Sequence, residues 1–141
     1  MEIRHATIDD AIEVLEWRND PMSVAASKTG TVDASDHMAW FVKSINNPER
    51  HLFIVTEGER RVGMVRFDKL QDAWLVSINI APVERGKGYG DTALRKAIIE
   101  IGNSRLLAEI KPNNHASIRI FERCGFRQFG MKNGLLQFER P

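Results

Sequence analysis

The sequence predicts a mixed α/β (α+β) fold, a central, largely antiparallel sheet of about seven strands with four helices on its faces. Three observations point there. Three β-rich runs follow one another between residues 51 and 80, with a hairpin signal between the first two. Two later segments, ending near Ile101 and Gly125, repeat apolar residues at helical spacing. Asn133-Gly134 separates two short apolar runs near the C-terminal end, a strong mark of a tight β-hairpin. Strands and helices interleaved in this way imply one mixed sheet covered by helices.

The elements can be justified in order. "EIRHA" reads as a short strand. Thr7 caps a helix whose first turn holds Asp9 and Asp10, where carboxylates suit the helix dipole. Its buried stripe is expected from Ile8, Ile12 and Leu15, with Ala11 and Val14 beside them, and Pro21 is expected to end it. "SVAASKTGTV" is expected as a loop, uncharged apart from Lys28. Asp33 or Ser35 starts a second helix with Trp40, Phe41 and Ile45 on its apolar face, and "NNPER" is a turn. "HLFIVTE", "RVGMVRFDKL" and "AWLVSINI" are strands, the first two joined through "EGER". Ala93, Leu94, Ala97, Ile98 and Ile101 give the third helix its stripe. "RLLAEI" is a strand, and "NNHASIRIFERCG" is a helix closed by Gly125. "FRQFGM" and "LLQFER" form the last hairpin. The resulting order is β-α-α-β-β-β-α-β-α-β-β. No repeat or linker interrupts it, so residues 1–141 are read as a single domain.

Composition narrows the function classes. A net charge of +1 with scattered Lys and Arg argues against a nucleic-acid surface or an anionic membrane surface. No apolar run reaches membrane-spanning length, and "MEIRHATIDD" lacks the apolar core of a signal peptide. The one cysteine, Cys124, cannot form an internal disulfide, so a cytoplasmic location and a structural role for that thiol are expected. No Cys/His/Asp cluster has metal-ligand spacing, and no metal is expected. The exposed ends of strands leave a homodimer open.

The chemistry begins at "SINIAPVERGKGYGDTALRKAIIEI", where Gly86, Gly88 and Gly90 stand between a strand and a helix. A strand, a glycine-rich turn and a helix N-terminus together grip phosphate, through converging backbone N–H groups and the helix dipole. A nucleotide P-loop would need Ser or Thr after Gly86-Lys87, where Gly88 stands. A dinucleotide fingerprint would need glycine at Asp91. What fits is Arg85-x-x-Gly88-x-Gly90.

With that motif the chain resembles the GNAT superfamily of acyl-CoA N-acyltransferases. The resemblance extends to "NHASIRIFERCGF", with Asn114, Ser117, Ile118, Phe121, Glu122, Gly125 and Phe126 in the family's register, to the opening "IRHATIDDAIEVLEWRND", and to the element order. It implies that acetyl-CoA is the co-substrate. Its diphosphate would be held by backbone groups of Ile80, Arg85, Gly86, Lys87, Gly88, Tyr89 and Gly90, and its pantetheine admitted where two strands splay. Asn114 and Ser117 would hydrogen-bond the pantetheine or diphosphate arm, a role compatible with Asn114 being a helix N-cap.

Acetyl transfer to an amine requires the neutral nitrogen, and an alkylammonium of lysine type has a pKa of about 10.4. A base must therefore act, often through water. Glu109, five residues before Asn114, matches the position of a general base in some family members. The alternative is a carboxylate ion-paired at the edge of the sheet, and the reading leans to the catalytic role. The amide of Asn79 or Ile80 is the candidate to stabilise the oxyanion. Where the family usually places a tyrosine acid, this chain has Phe121, so water is expected to reprotonate the departing thiolate.

"EWRNDP" and "DHMAWF" resemble the branch holding ribosomal-protein N-terminal acetyltransferases and the enzyme that acetylates UDP-linked 4-amino sugars in pseudaminic acid biosynthesis. The resemblance implies that Arg18 and His37 lie at the acceptor end, Arg18 on a diphosphate or carboxylate, and His37 binding the acceptor or taking its proton. Each has a plainer reading, Arg18 as a helix C-terminal charge and His37 as a packed ring bonded to a carbonyl. The expected acceptor is a small-molecule amine, first a nucleotide-linked (UDP) amino sugar, and second a protein or peptide N-terminus. A non-catalytic acyl-CoA sensor is the reading from another class.

Overall fold

The computed structural model describes residues 1–27 and 30–141, so Lys28 lies outside the described residues. Seven strands run as β1 (Glu2–His5), β2 (Arg50–Glu57), β3 (Arg60–Leu70), β4 (Ala73–Ile80), β5 (Arg105–Ile110), β6 (Arg127–Lys132) and β7 (Leu135–Arg140). They pair in the spatial order β1-β2-β3-β4-β5-β7-β6. Every pairing is antiparallel except β4 with β5, which is parallel. The helices are α1 (Ala11–Asn19), α2 (Pro21–Ala26), α3 (Ala34–Ile45), α4 (Tyr89–Ile101) and α5 (His115–Arg123).

The strands β2 and β3 read as nearly continuous apolar runs because both faces of the sheet are covered. Leu52, Ile54 and Met64 face α1 and α3, where they meet Ala11, Val14, Trp17 and Phe41. Phe53, Val55, Val65 and Phe67 face the other way and pack with Leu94, Ala97 and Phe121 of α4 and α5. The hairpin at Asn133-Gly134 forms as expected, with φ of +54° and +78° at its two central residues.

Two expectations in the N-terminal region are corrected. The inward face of α1 is Ala11, Val14 and Trp17, while Ile8 and Ile12 stay 45% and 69% exposed. Apolar residues surround this helix, so periodicity alone could not choose the face. Asp10 chooses it. Its carboxylate is fully buried and accepts two parallel bonds from Arg4, one from Arg61 and one from the Thr7 N–H, all between 2.6 and 2.8 Å. Pro21, expected to end a helix, also begins the next, making five α-helices where four were expected. Asp20 caps α2 by accepting from the N–H groups of Met22 and Ser23, and Pro21 occupies the first turn, where its missing N–H costs nothing.

Candidate active site

The end of β4 leads through a tight turn at Pro82–Glu84 into Arg85–Gly88 and α4. Gly86 and Gly88 have φ of +79° and +80°, a conformation that side chains disfavour, and a Cβ at either would meet no protein atom within 4 Å. The turn therefore presents bare backbone to open space at a helix N-terminus, where orphan N–H groups and the dipole favour an anion. Gly90 has another reason. A Cβ there would lie 2.5 Å from the Ile120 side chain, so the glycine permits the close approach of α4 to α5.

Side chains of the turn are used to hold it. Glu84 is buried, and the Arg60 hydrogen bond, with Lys87 beside it, keeps its carboxyl below the ordinary range. The Lys87 ammonium is thus engaged with Glu84. The Arg85 guanidinium donates to the Ile80 carbonyl at 3.1 Å, to Asp20 at 2.8 Å, and to Ser23 Oγ and Asn79 Oδ1 at 2.9 and 3.3 Å. It ties α2 to the end of β4 and leaves its own backbone to the turn.

Beyond the turn the sheet opens. β4 and β5 pair only from Ala73–Leu75 to Arg105–Leu107, and then part. A cleft of about 530 Å³ follows the glycine turn, lined by Ile80, Arg85, Gly86, Gly88, Tyr89, Gly90, Asn114 and Ser117 among others. A second cleft, of about 510 Å³, adjoins it through Ser23, Ala26, Ile78, Asn79, Asn114 and Ser117, and reaches Glu109 between the parted strands. Asn114 caps α5, its side-chain oxygen accepting the Ser117 N–H at 3.2 Å, and still lines both clefts. Glu109 is half-buried on β5, opposite Gln137 of β7. Phe121 also lines the second cleft, packed edge-on against Phe126 with centroids 4.9 Å apart. Cys124 is buried, and burial pushes its thiol pKa up, away from nucleophilic use.

Arg18 and His37 come together, yet only Arg18 lines the cleft. His37 is 0% exposed, its Nε2 is 2.8 Å from the Ala11 carbonyl oxygen, and its Nδ1 is 3.3 Å from Arg18 Nη1. A carbonyl can only accept, so Nε2 carries the proton and Nδ1 accepts from Arg18. Burial chiefly, and the Arg18 charge, lower the His37 pKa and keep the ring neutral. This corrects the expectation of direct acceptor contact, because both ring nitrogens are occupied behind Arg18.

Several cleft residues escaped the sequence reading. Trp40, expected on the apolar face of its helix, lines the second cleft together with Arg50 and Arg66. Arg119 and Arg123 line the first cleft from one face of α5, at a four-residue spacing that could have revealed them.

Known proteins share this fold. A Bacillus subtilis (strain 168) protein provisionally named phosphinothricin acetyltransferase YwnH is 27% identical over 154 residues, covering 99% of this chain and 91% of its own. A ribosomal-protein-alanine N-acetyltransferase from Brucella melitensis superposes with a TM-score of 0.83 at 25% identity, covering 99% of each chain. A spermidine N-acetyltransferase from Vibrio cholerae, solved with CoA and spermine, shares the fold with a TM-score of 0.85 at 16% identity, over 98% of this chain and 93% of its own. Residues 1–127 match the acetyltransferase (GNAT) domain. With the glycine turn opening α4 and the sheet parting beside it, the chain belongs to the GNAT acetyltransferases, enzymes that move the acetyl group of acetyl-CoA to an amine.

Proposed function

We propose that this enzyme acetylates the primary amine of a small molecule by direct attack on acetyl-CoA, with Glu109 as the base. The parting of β4 from β5 carries the reading, since it joins the glycine turn to Glu109 through one continuous opening. The cofactor diphosphate lies on the backbone of residues 85–90, the pantetheine arm passes Asn114 and Ser117, and the thioester reaches Asn79 and Ile80. The amine enters from the side of Arg18. Its nitrogen lone pair attacks the thioester carbonyl while water relays its proton to Glu109, and a β4 amide supports the oxyanion. The C–S bond then breaks. With phenylalanine at position 121, water returns the proton to the thiolate, a tolerable leaving group with a thiol pKa of about 8.5.

Among acceptors, a nucleotide-linked amino sugar ranks first, because Arg18 lines the cleft and its planar fork suits a diphosphate. A peptide N-terminus is the second reading, favoured by the likeness to the Brucella melitensis enzyme along the whole chain. Thiol release from acetyl-CoA across UDP-linked amino sugars, free amino sugars, polyamines, amino acids and N-terminal peptides tests both. Release confined to peptides would replace the first reading by the second.

A further inference from the structure

Trp40 stands among three arginines contributed by three different elements. The Arg18 guanidinium lies 4.6 Å from its ring centroid, Arg50 5.3 Å and Arg66 5.5 Å. All four residues line the second cleft. One carboxylate, Asp68, pairs with two of the three guanidiniums, Arg50 and Arg66. Arg50 is further fixed by donating to Ser44 Oγ at 2.9 Å. Among the described residues no carboxylate lies within ion-pair distance of Arg18. Lys111 adds another cation to the cleft wall, donating to the Ala25 carbonyl oxygen at 2.6 Å, and Glu109 is the acidic residue lining it.

Like charges gathered at one wall disfavour one another unless an anion joins them. Burial chiefly, and then the charges of Arg66 and Arg50, lower the Arg18 pKa. A wall built only to pack against Trp40 would not need three guanidiniums. Planar forks facing one cavity suit the paired oxygens of a carboxylate or phosphate.

Resting on the transferase reading above, we propose that the acceptor amine carries an oxyanion, a carboxylate or a phosphoryl-type group, which binds between Arg18 and Arg66 beside Trp40. Its ammonium end then faces Glu109 and its anionic end faces the arginines, so the cleft orients a dipolar molecule before chemistry begins. A polycation would set its second charge against the arginines and is excluded on those grounds.

Matched pairs of acceptors test this by thiol release from acetyl-CoA: a UDP-linked amino sugar against the free amino sugar, and an α-amino acid against its amide, with spermine as the polycation. The anionic member of at least one pair is expected to have the higher kcat/KM by about tenfold or more, and spermine to be poor. The responding pair identifies phosphate or carboxylate as the source. Arg18→Gln and Arg66→Gln should each raise the KM of that anionic acceptor by about tenfold, with the acetyl-CoA KM unchanged. Equal or better turnover of the neutral members, or of spermine, overturns the proposal and leaves the transferase reading standing. No release from any amine overturns the transferase reading instead. The matching small anion, inorganic phosphate where the nucleotide pair responds and acetate where the amino-acid pair does, titrated calorimetrically into protein saturated with coenzyme A then decides the subsite. Heat lost in the Arg18→Gln variant supports it, whereas no heat in the parent protein, or undiminished heat in the variant, overturns it.

Discussion

Arg18 is held by His37 through a single hydrogen bond, and His37 is held in turn by the Ala11 carbonyl. The imidazole therefore acts as a fixed acceptor that orients a guanidinium at the cleft wall. It can do so only while neutral. Its pKa is lowered below the ordinary histidine value by burial, so the unfolded chain takes up this proton first as pH falls. The associated stability is present above about pH 6.5 and is lost progressively below it.

His37→Leu should raise the acceptor KM by about fivefold to tenfold and leave the acetyl-CoA KM unchanged, since Arg18 loses its anchor. His37→Gln, which can both donate to Ala11 and accept from Arg18, should restore most of the affinity. It should also flatten the loss of stability below about pH 6.5. Equal acceptor KM in the leucine variant would refute a positioning role.

Gly88→Val should raise the KM for acetyl-CoA by at least ~10-fold, because a branched side chain would project from bare backbone at the helix N-terminus. Forcing such a residue to φ of +80° should also cost about 1–2 kcal/mol of stability. Steady-state kinetics and thermal unfolding separate the two effects. Unchanged acetyl-CoA KM in a folded variant would remove the turn from the cofactor site.

For Glu109→Gln, kcat should fall by roughly 10²-fold or more while acetyl-CoA affinity is kept, as expected on removing a general base. An unchanged kcat in the folded variant would place the base elsewhere.

Arg85→Met removes the strut between Asp20, Ser23 and the end of β4. Residues of α2 line both clefts, so the KM of cofactor and acceptor should rise together. Amide exchange in residues 20–26 should accelerate. An increase in one KM alone, with exchange unaltered, would contradict the strut.

The Asp10 carboxyl has a stability signature of its own. Burial by itself would raise its pKa, but the bonds from Arg4, Thr7 and Arg61 outweigh burial and bring it to about 2. A depressed carboxylate stabilises above its unfolded pKa, so about 2 kcal/mol should be present above pH 4 and disappear between pH 4 and 2. Asp10→Asn should remove that dependence and lower Tm, since it leaves two arginines short of a buried partner. An acid unfolding curve shared by parent and variant would rule this out.

What the sequence disclosed was what neighbouring residues decide. The hairpin at Asn133-Gly134, the cap at Asn114 and the glycine turn at 86–90 each depend on a few adjacent residues. The inward face of α1 depends on Arg4 and Arg61 reaching Asp10 from two strands, and no local pattern records that. Trp40, Arg50 and Arg66 are scattered over twenty-seven positions and meet only because β2 and β3 bring the latter two beneath α3. His37 lies on the expected helix face and bonds a carbonyl as its plainer reading has it, but its contact with Arg18, nineteen residues away, is recorded by no local pattern.

The early separation of β4 from β5 leaves an edge inside the molecule. From Val76 onward β4 has a ladder on the β3 side alone, so its other row of amides faces the opening. Outer edges invite foreign strands, whereas this one lies within the sheet, between β4 and β5. A pantetheine arm seated there would complete the sheet, making the cofactor a reversible structural member. Thermal stability would then climb with the logarithm of coenzyme A or acetyl-CoA concentration alike, since both carry the arm.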